Sequence, residues 1–262
     1  MSTITSTDGT IIDYDKAGEG PGVIFIGGAV EYRTPGRPIA DLARRLASAG
    51  YSVLEYDRRG RGRSGDSSPW SLDREVDDLN GLIATLNAPA TLYTSSSGAT
   101  VALAAAQGGA NVAALALYDP PFFKGDGLAE PLARIRSLLA EGQYEEAMRH
   151  NLTDVVGLPA DAVSQMAGAP FWQGMVDIAP TLAYDLGAVH DVAVDPDWSK
   201  RWSGVTARTV VYSGEESFAG MAEAADAVAG ALPNATRRVV PGQAHQPAAD
   251  VMAPILIEFL RG

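Results

Sequence analysis

The stretch Leu92-Tyr93-Thr94-Ser95-Ser96-Ser97-Gly98-Ala99 joins two segments of different composition. Before the serines, residues 90–93 form a short apolar run that is typical of a buried strand. After them, residues 97–107 are rich in Ala, Val and Leu, which favours a packed helix. The chain must therefore turn sharply at a serine. A strand–turn–helix of this kind can hold one hydroxyl above the edge of a sheet, in the arrangement called a nucleophile elbow.

Residue size indicates which serine stands at the turn. An elbow needs small residues two positions before and two positions after the nucleophile, because the strand and helix backbones nearly touch there. Ser96 has Thr94 and Gly98 in these places. Ser95 would have a tyrosine in the first place, and Ser97 would put the glycine out of register. We therefore predict Ser96 as the nucleophile, with a non-catalytic serine-rich turn as the alternative.

Strand-like and helix-like segments alternate on both sides of this stretch. Residues 3–6 and 11–15 alternate around Asp8-Gly9, which is a hairpin signal. Further strand-like runs are residues 23–26, 52–56, 90–93, 112–118, 209–212 and 236–240. Helix-like segments lie at residues 39–49, 72–86, 97–107, 220–232 and 251–260. The pattern predicts an α/β protein with a mostly parallel sheet and helices on both faces.

The alternation of strand-like and helix-like segments stops after residue 121. Residues 122–204 contain helix-like segments at 128–140, 144–151 and 161–167, but no convincing strand. We predict an α/β core of residues 1–121 and 205–262, interrupted by a helical lid of residues 122–204. Aromatic residues are concentrated in this segment. Phe122 and Trp172 are predicted to line an apolar substrate pocket, and packing inside the lid is the alternative.

A serine nucleophile needs a base, and histidine is the usual one at neutral pH. Of the three histidines, His150 and His190 lie within the helical segment, where surface or packing roles are expected. His245 follows a strand and a Pro-Gly turn, just before the last helix. That position lies at the carboxyl edge of the predicted sheet, the same edge as the elbow. We predict His245 as the base.

A carboxylate should orient the histidine and stabilise its charged form. Asp119 follows the strand-like run 112–118 directly and precedes two prolines, which stop the strand and leave the carboxylate at the catalytic edge. Glu216 lies in the loop after the strand-like run 209–212. We predict Asp119 as the acid, with Glu216 as the alternative.

The oxyanion of acyl transfer needs preorganised N–H donors. One donor is expected to be the backbone N–H of Ser97, directly after the nucleophile. The second should come from Gly27-Gly28-Ala29, where glycines allow the backbone to approach a substrate closely. We predict an oxyanion hole of Ala29, Ser97 and Gly28, with Ala29 as the main donor of its loop.

Composition excludes several classes of partner. The net charge of −12 argues against a nucleic-acid partner. The one basic cluster, residues 58–63, is interleaved with glycines and indicates a structural turn. The absence of cysteine excludes disulfides and thiolate metal sites. No apolar stretch reaches the roughly 18 residues of a membrane span, and the first residues do not resemble a signal peptide. We expect a cytoplasmic protein.

Taken together, these residues resemble the α/β-hydrolase superfamily over nearly the whole chain. Residues 57–64, Asp-Arg-Arg-Gly-Arg-Gly-Arg-Ser, look like the D-x-R-G-x-G-x-S segment that is common after the fourth strand. Residues 241–245, Pro-Gly-Gln-Ala-His, look like the terminal histidine loop. The chain order Ser96, Asp119, His245 also matches the family order of nucleophile, acid and base.

Two departures from the family pattern concern the site. Gly27 replaces a histidine that often precedes the oxyanion glycine. Ser217 replaces the usual acid, three residues after Gly214. Haloalkane dehalogenases and the fungal zearalenone lactonases place the acid after the sixth strand, and Asp119 fits that arrangement. Residues 96–99, Ser-Ser-Gly-Ala, also resemble those lactonases.

The resemblance implies hydrolysis of a carboxylic ester or lactone of a small, largely apolar substrate through an acyl-enzyme, with no metal and no organic cofactor. A serine nucleophile argues against dehalogenase chemistry, which uses aspartate. Two alternatives remain: a non-hydrolytic lyase or cyclase that uses His245 as a base, and a catalytically silent ligand-binding protein. The expected partner is a small molecule, without nucleic acid or membrane. The oligomeric state is open, with a homodimer as one alternative.

Overall fold

The computed structural model describes residues 2–34 and 37–262, apart from the side chain of Ser199. The predicted core also includes residues 1, 35 and 36, which lie outside these ranges. Within the described part, eight strands form one sheet in the order β1-β2-β4-β3-β5-β6-β7-β8. The strands are β1 Ser2–Thr5, β2 Ile11–Ala17, β3 Gly22–Ile26, β4 Ser52–Tyr56, β5 Ala90–Ser95, β6 Val112–Tyr118, β7 Arg208–Gly214 and β8 Ala235–Val240.

The direction of the strands places the carboxyl ends of several of them at the same edge of the sheet. The hairpin predicted around Asp8-Gly9 is present, because β1 pairs antiparallel with β2 and Gly9 turns the chain with a φ of 87°. β2 also runs antiparallel to β4, and the pairs from β4 through β3 to β8 are parallel. The carboxyl ends of β3, β5, β6 and β7 therefore open onto the same edge.

Helices connect the strands and cover both faces. They are α1 Pro38–Ser48, α2 Leu72–Ala84, α3 Gly98–Gln107, α4 Ala129–Ala140, α5 Tyr144–His150, α6 Ala160–Ala167, α7 Trp172–Asp177, α8 Leu182–Ala193, α9 Met221–Ala231 and α10 Ala249–Arg261. A π-helical turn, Asn151–Val155, follows α5, and short 3₁₀ turns lie at Ala179–Thr181 and Trp198–Lys200. The structure confirms the α/β class and the mostly parallel sheet.

Two cores sandwich the sheet because alternate side chains of each strand face opposite sides. On one face, α1 and α10 pack over Phe25 and Tyr93, whose ring centroids are 5.0 Å apart. On the other face, α2, α3 and α9 pack over Leu92 and Leu117. Full burial of each large apolar side chain contributes about 1.5–3 kcal/mol, and both cores hold the strand ends in fixed positions.

The segment between β6 and β7 has a core of its own. Residues 122–204 contain helices and no strand, as the sequence predicts. Apolar residues of α4–α8 and the adjoining turns form this third core, and Val30, from the loop after β3, packs against it. Helices α4, α5 and α6 were predicted; α7 and α8 were not. The division of the chain into a core and a lid stays a prediction. No helix in the described ranges is long and apolar enough to cross a membrane.

Candidate active site

The predicted elbow has the expected strained backbone. Ser96 has a φ of 51°, a left-handed conformation that is uncommon for residues other than glycine, and its N–H donates to the Tyr118 carbonyl at 2.9 Å. Gly98 is needed for the close approach of strand and helix, because a Cβ there would lie 2.5 Å from the Ile26 carbonyl oxygen. The Ser96 side chain is half-buried at the open edge of the sheet. Strain of this kind is characteristic of functional turns.

Asp119 ends the neighbouring strand in the same way. Its φ is 49°, and its N–H donates to the Tyr212 carbonyl on β7 at 2.9 Å. The carboxyl group is fully buried, and its Oδ2 lies 2.9 Å from Nδ1 of His245. The loop that carries His245 is fixed by Tyr118, whose hydroxyl donates to the Ala244 carbonyl at 2.7 Å. The structure thus brings Asp119 and His245 into direct contact beside the elbow.

This contact decides which nitrogen of His245 carries the proton. A carboxylate can only accept a hydrogen bond, so the neutral ring has its proton on Nδ1 and a lone pair on Nε2. None of the described residues hydrogen-bonds to Nε2, and none bonds to the hydroxyl of Ser96. Both groups are therefore available to a substrate, and hydrogen bonds between catalytic groups often tighten only in the substrate complex.

The alternative acid, Glu216, does not reach the histidine. Its backbone N–H donates to the Gln243 carbonyl at 2.9 Å, and its side chain forms no hydrogen bond with any described residue. Ser217, in the family's usual acid position, instead supports Asp119: its hydroxyl donates to Asp119 Oδ2 at 2.5 Å. The N–H of Gly214 donates to Oδ1 at 3.1 Å. These supporting roles of Ser217 and Gly214 were not predicted from the sequence. The serine in the position of the usual acid was the one sequence feature that could have indicated them.

The two predicted oxyanion donors lie on segments that meet at Ser96. A Cβ on Gly28 would stand 2.8 Å from Ser96 Cβ, so the loop after β3 lies directly against the nucleophile. No described residue accepts a hydrogen bond from the backbone N–H of Ala29 or of Ser97. Both N–H groups are thus free for a ligand.

The inclusion of Gly28 in the predicted oxyanion hole is not supported. Its N–H already donates to the carboxylate of Glu31 at 2.9 Å, and the Ser95 hydroxyl lies 3.2 Å from the same nitrogen. The Ser95 hydroxyl in turn donates to Glu31 at 2.6 Å. A donor already bound to a carboxylate is not available to an oxyanion, so Gly28 contributes close approach rather than a hydrogen bond.

Phe122 and Trp172 lie in packed cores, so their predicted role in a substrate pocket is not supported. The ring of Phe122 is 1% exposed and lies 5.2 Å from the ring of Trp202. Trp172 is 6% exposed in the third core, with the guanidinium of Arg149 over its ring at 5.2 Å. Phe218, by contrast, is 38% exposed, and its ring centroid lies 4.9 Å from that of the His245 ring.

A buried ion cluster contacts the two segments that are predicted to form the oxyanion hole, residues 27–29 and Ser97, which we call the oxyanion segments. It consists of Arg58 and Arg61 from the loop after β4, Glu75 from α2 and Asp185 from α8, and we call it the Asp185 cluster. Arg58 forms a bidentate pair with Glu75 at 2.6 and 2.7 Å and contacts Asp185 at 2.6 Å. Arg61 also contacts Asp185. The basic loop is therefore a structural turn, as predicted, with Arg58, Arg59 and Arg61 all buried.

Charges within the cluster balance. Burial works against ionisation of Asp185, yet Arg58 and Arg61 together hold the pKa of this carboxyl below its usual value. Burial alone would lower the pKa of Arg58, but Asp185 and Glu75 raise it well above the usual value. Two cations thus face two carboxylates, which is the condition under which buried charges are tolerated.

We expect the substitution Ser217→Ala to lower kcat about tenfold. Hydrogen bonds to charged groups contribute about 1.5–3 kcal/mol, and every 1.4 kcal/mol is a factor of about ten. Loss of this donor leaves the Asp119 carboxylate less firmly oriented toward His245. Steady-state hydrolysis of p-nitrophenyl esters measures the effect. Ser217→Thr, which keeps a hydroxyl, should retain most activity, and Ser137→Ala, on the exposed face of α4, serves as the control. An unchanged kcat in Ser217→Ala would remove the role assigned to this serine.

The strained serine turn, the buried acid and the histidine loop define a hydrolase-type site on an α/β sheet. The family model described as "Alpha/beta hydrolase family" matches residues 23–254. The chain belongs to the α/β hydrolase family. No group of three or more His, Asp or Glu residues in the described ranges could hold a metal ion.

Solved structures similar to this chain include three of particular interest. An α/β hydrolase from Sphaerobacter thermophilus is 38% identical, with a TM-score of 0.87 over 99% of this chain and 100% of that one. An esterase from Exiguobacterium antarcticum is 18% identical, with a TM-score of 0.76 over 100% and 99%. The enol-lactonase from Burkholderia xenovorans is 20% identical, with a TM-score of 0.67 over 100% of both chains. A search of the curated proteins found no match.

Proposed function

We propose that this chain is a serine hydrolase that cleaves a carboxylic ester or lactone of a small, largely apolar substrate through an acyl-enzyme. The observation that carries the proposal is the 2.9 Å contact between buried Asp119 and Nδ1 of His245, beside a serine in left-handed backbone geometry. The esterase and enol-lactonase among the similar structures support the same reaction class.

The mechanism uses residues of this chain alone. Ser96 Oγ attacks the substrate carbonyl while Nε2 of His245 takes its proton, and Asp119 stabilises the imidazolium that forms. The oxyanion accepts hydrogen bonds from the N–H groups of Ala29 and Ser97. His245 then returns the proton to the leaving alkoxide, and water, activated by the same base, hydrolyses the acyl-enzyme. In a lactone the leaving alkoxide stays attached to the acyl chain.

A small, apolar substrate agrees with the surroundings of the histidine. The partly exposed ring of Phe218 lies beside His245, with 4.9 Å between the two ring centroids. An exposed aromatic ring next to a reacting centre favours apolar groups of a ligand. We propose that residues 122–204 act as a lid over this edge.

A fluorophosphonate probe tests the proposal without knowledge of the natural substrate. Ser96 Oγ should form a bond to phosphorus while fluoride leaves and the proton passes to His245. We expect one label per chain, located by peptide mass spectrometry on Ser96, and hydrolysis of short p-nitrophenyl esters that stops in proportion to labelling. Heat-denatured protein, in which the site is absent, is the control. Absence of any serine label would reject the serine hydrolase in favour of a lyase, a cyclase or a silent binding protein.

A further inference from the structure

The loop after β3 is held by hydrogen bonds to its carbonyl groups. Arg58 Nη1 donates to the Gly27 carbonyl at 3.1 Å, and Arg61 Nη1 donates to the Gly28 carbonyl at 2.6 Å. Arg61 Nη1 also reaches the Glu31 carbonyl at 3.2 Å. Both arginines thus bind the carbonyl groups of this loop on the side that faces the Asp185 cluster.

Because the peptide bond is planar, the hydrogen bonds to the Gly28 carbonyl also fix the direction of the Ala29 N–H. The carbonyl of Gly28 and the N–H of Ala29 belong to one trans peptide unit, so they point in opposite directions. When Arg61 holds the carbonyl of Gly28, the N–H of Ala29 must point away from the cluster. The preceding unit is fixed at both ends, because Arg58 holds the Gly27 carbonyl while Glu31 accepts from the Gly28 N–H.

Asp185 joins this loop to the other oxyanion segment. Its Oδ1 accepts from the Ser97 hydroxyl at 2.8 Å and from Arg58 at 2.6 Å, and its Oδ2 binds Arg61. The carboxyl group is fully buried on α8. Among the side chains that the structure describes, only Asp185 contacts both arginines and the residue directly after the nucleophile.

We propose that Asp185 is a positioning residue for the oxyanion hole: it holds Arg58, Arg61 and Ser97 so that the N–H groups of Ala29 and Ser97 converge on the oxyanion. The inference rests on the proposed hydrolase function. It assigns a specific task to the segment of residues 122–204, because α8 supplies this carboxylate. Removal of the negative charge would leave two buried arginines with one carboxylate, and Arg61 would lose the carboxylate that holds it against the Gly28 carbonyl.

The test compares Asp185→Asn with a matched variant, Asp78→Asn. Asp78 forms an equally buried bidentate pair with Arg59, at 2.8 Å for both bonds, but none of its hydrogen bonds reaches the oxyanion segments. Both variants lose one buried carboxylate charge and should unfold at lower urea concentration than wild type. Only Asp185→Asn should lower kcat, by about 10- to 100-fold, and KM should stay within about twofold of wild type. The reason is that the hydrogen bonds from the Ala29 and Ser97 N–H groups to the oxyanion form only in the transition state.

A second variant and a second readout keep the test decisive. Ser97→Ala removes only the hydroxyl bond to Asp185 and keeps the ions, so it should fold and should lose about three- to tenfold in kcat. Fluorophosphonate labelling depends on the same oxyanion hole. Its rate should therefore fall in parallel with kcat in Asp185→Asn and in Ser97→Ala.

The outcomes separate the two proposals. A wild type that neither labels nor hydrolyses any ester rejects the hydrolase function. An active wild type with unchanged kcat in Asp185→Asn, or with an equal loss of kcat in Asp78→Asn, overturns the positioning role alone. If Asp185→Asn does not fold, an unchanged kcat in Ser97→Ala overturns that role.

Discussion

Ser96→Ala should lower kcat for ester hydrolysis by a factor on the order of 10⁴–10⁶. The proposed reaction passes through a covalent bond to Ser96 Oγ, and alanine provides no atom that could replace it. The fold should be unaffected, since the hydroxyl forms no hydrogen bond with a described residue. Single-turnover and steady-state rates on p-nitrophenyl esters measure the loss, and thermal melting checks the fold.

Two other serines provide the controls for this prediction. Ser137→Ala, on the exposed face of α4, should behave like wild type. Ser95→Ala removes a hydroxyl that supports Glu31, so a moderate loss is expected, far smaller than that of Ser96→Ala. If Ser96→Ala keeps its activity while Ser95→Ala or Ser97→Ala is inactive, the register of the elbow is wrong.

Sequence alone predicted the features that depend on local signals. The strand of residues 112–118 was predicted with its observed ends, because the apolar run stops at an aspartate and two prolines. Ser96 was distinguished from Ser95 by the size of the residue two positions earlier, which is a property of neighbouring residues. The three residues Ser96, Asp119 and His245 follow strand ends that a parallel sheet must bring to one edge.

Features that depend on distant pairs were not predictable. Asp185 lies in a helical stretch between Tyr184 and Leu186, where an aspartate usually faces solvent. It is buried only because Arg58 and Arg61, more than 120 positions earlier, neutralise it. Gly28 was predicted as a donor because nothing in the sequence indicated that the side chain of Glu31 would bind its N–H.

Aromatic residues illustrate the same limit. Phe122, Trp172 and Phe218 are all compatible with a pocket, since a large apolar ring is suited to a core and to a ligand site alike. Packing decides between the two. Phe122 and Trp172 are covered by their neighbours, whereas Phe218 keeps more than a third of its surface exposed beside His245.

The second large expected effect is a loss of about 10⁴-fold in kcat for Asp119→Asn. The buried carboxylate accepts from Nδ1 of His245, Ser217 and Gly214, and asparagine has only one oxygen with which to replace these contacts. An amide nitrogen facing His245 would donate to Nδ1 and shift the ring proton to Nε2, where it blocks proton transfer from Ser96. Steady-state kinetics on the same esters measure the loss.

Glu216→Gln is the matched control, because it removes a carboxylate from the same edge that forms no hydrogen bond with His245. It should keep kcat close to that of wild type. Asparagine at position 119 should leave the fold intact, since it is nearly isosteric and retains an oxygen for the Gly214 N–H; circular dichroism melting curves check this. A nearly active Asp119→Asn together with an inactive Glu216→Gln would move the acid to the loop after β7. Inactivity of Ser96→Ala and Asp119→Asn alone would leave Asp119 as the group that orients the base.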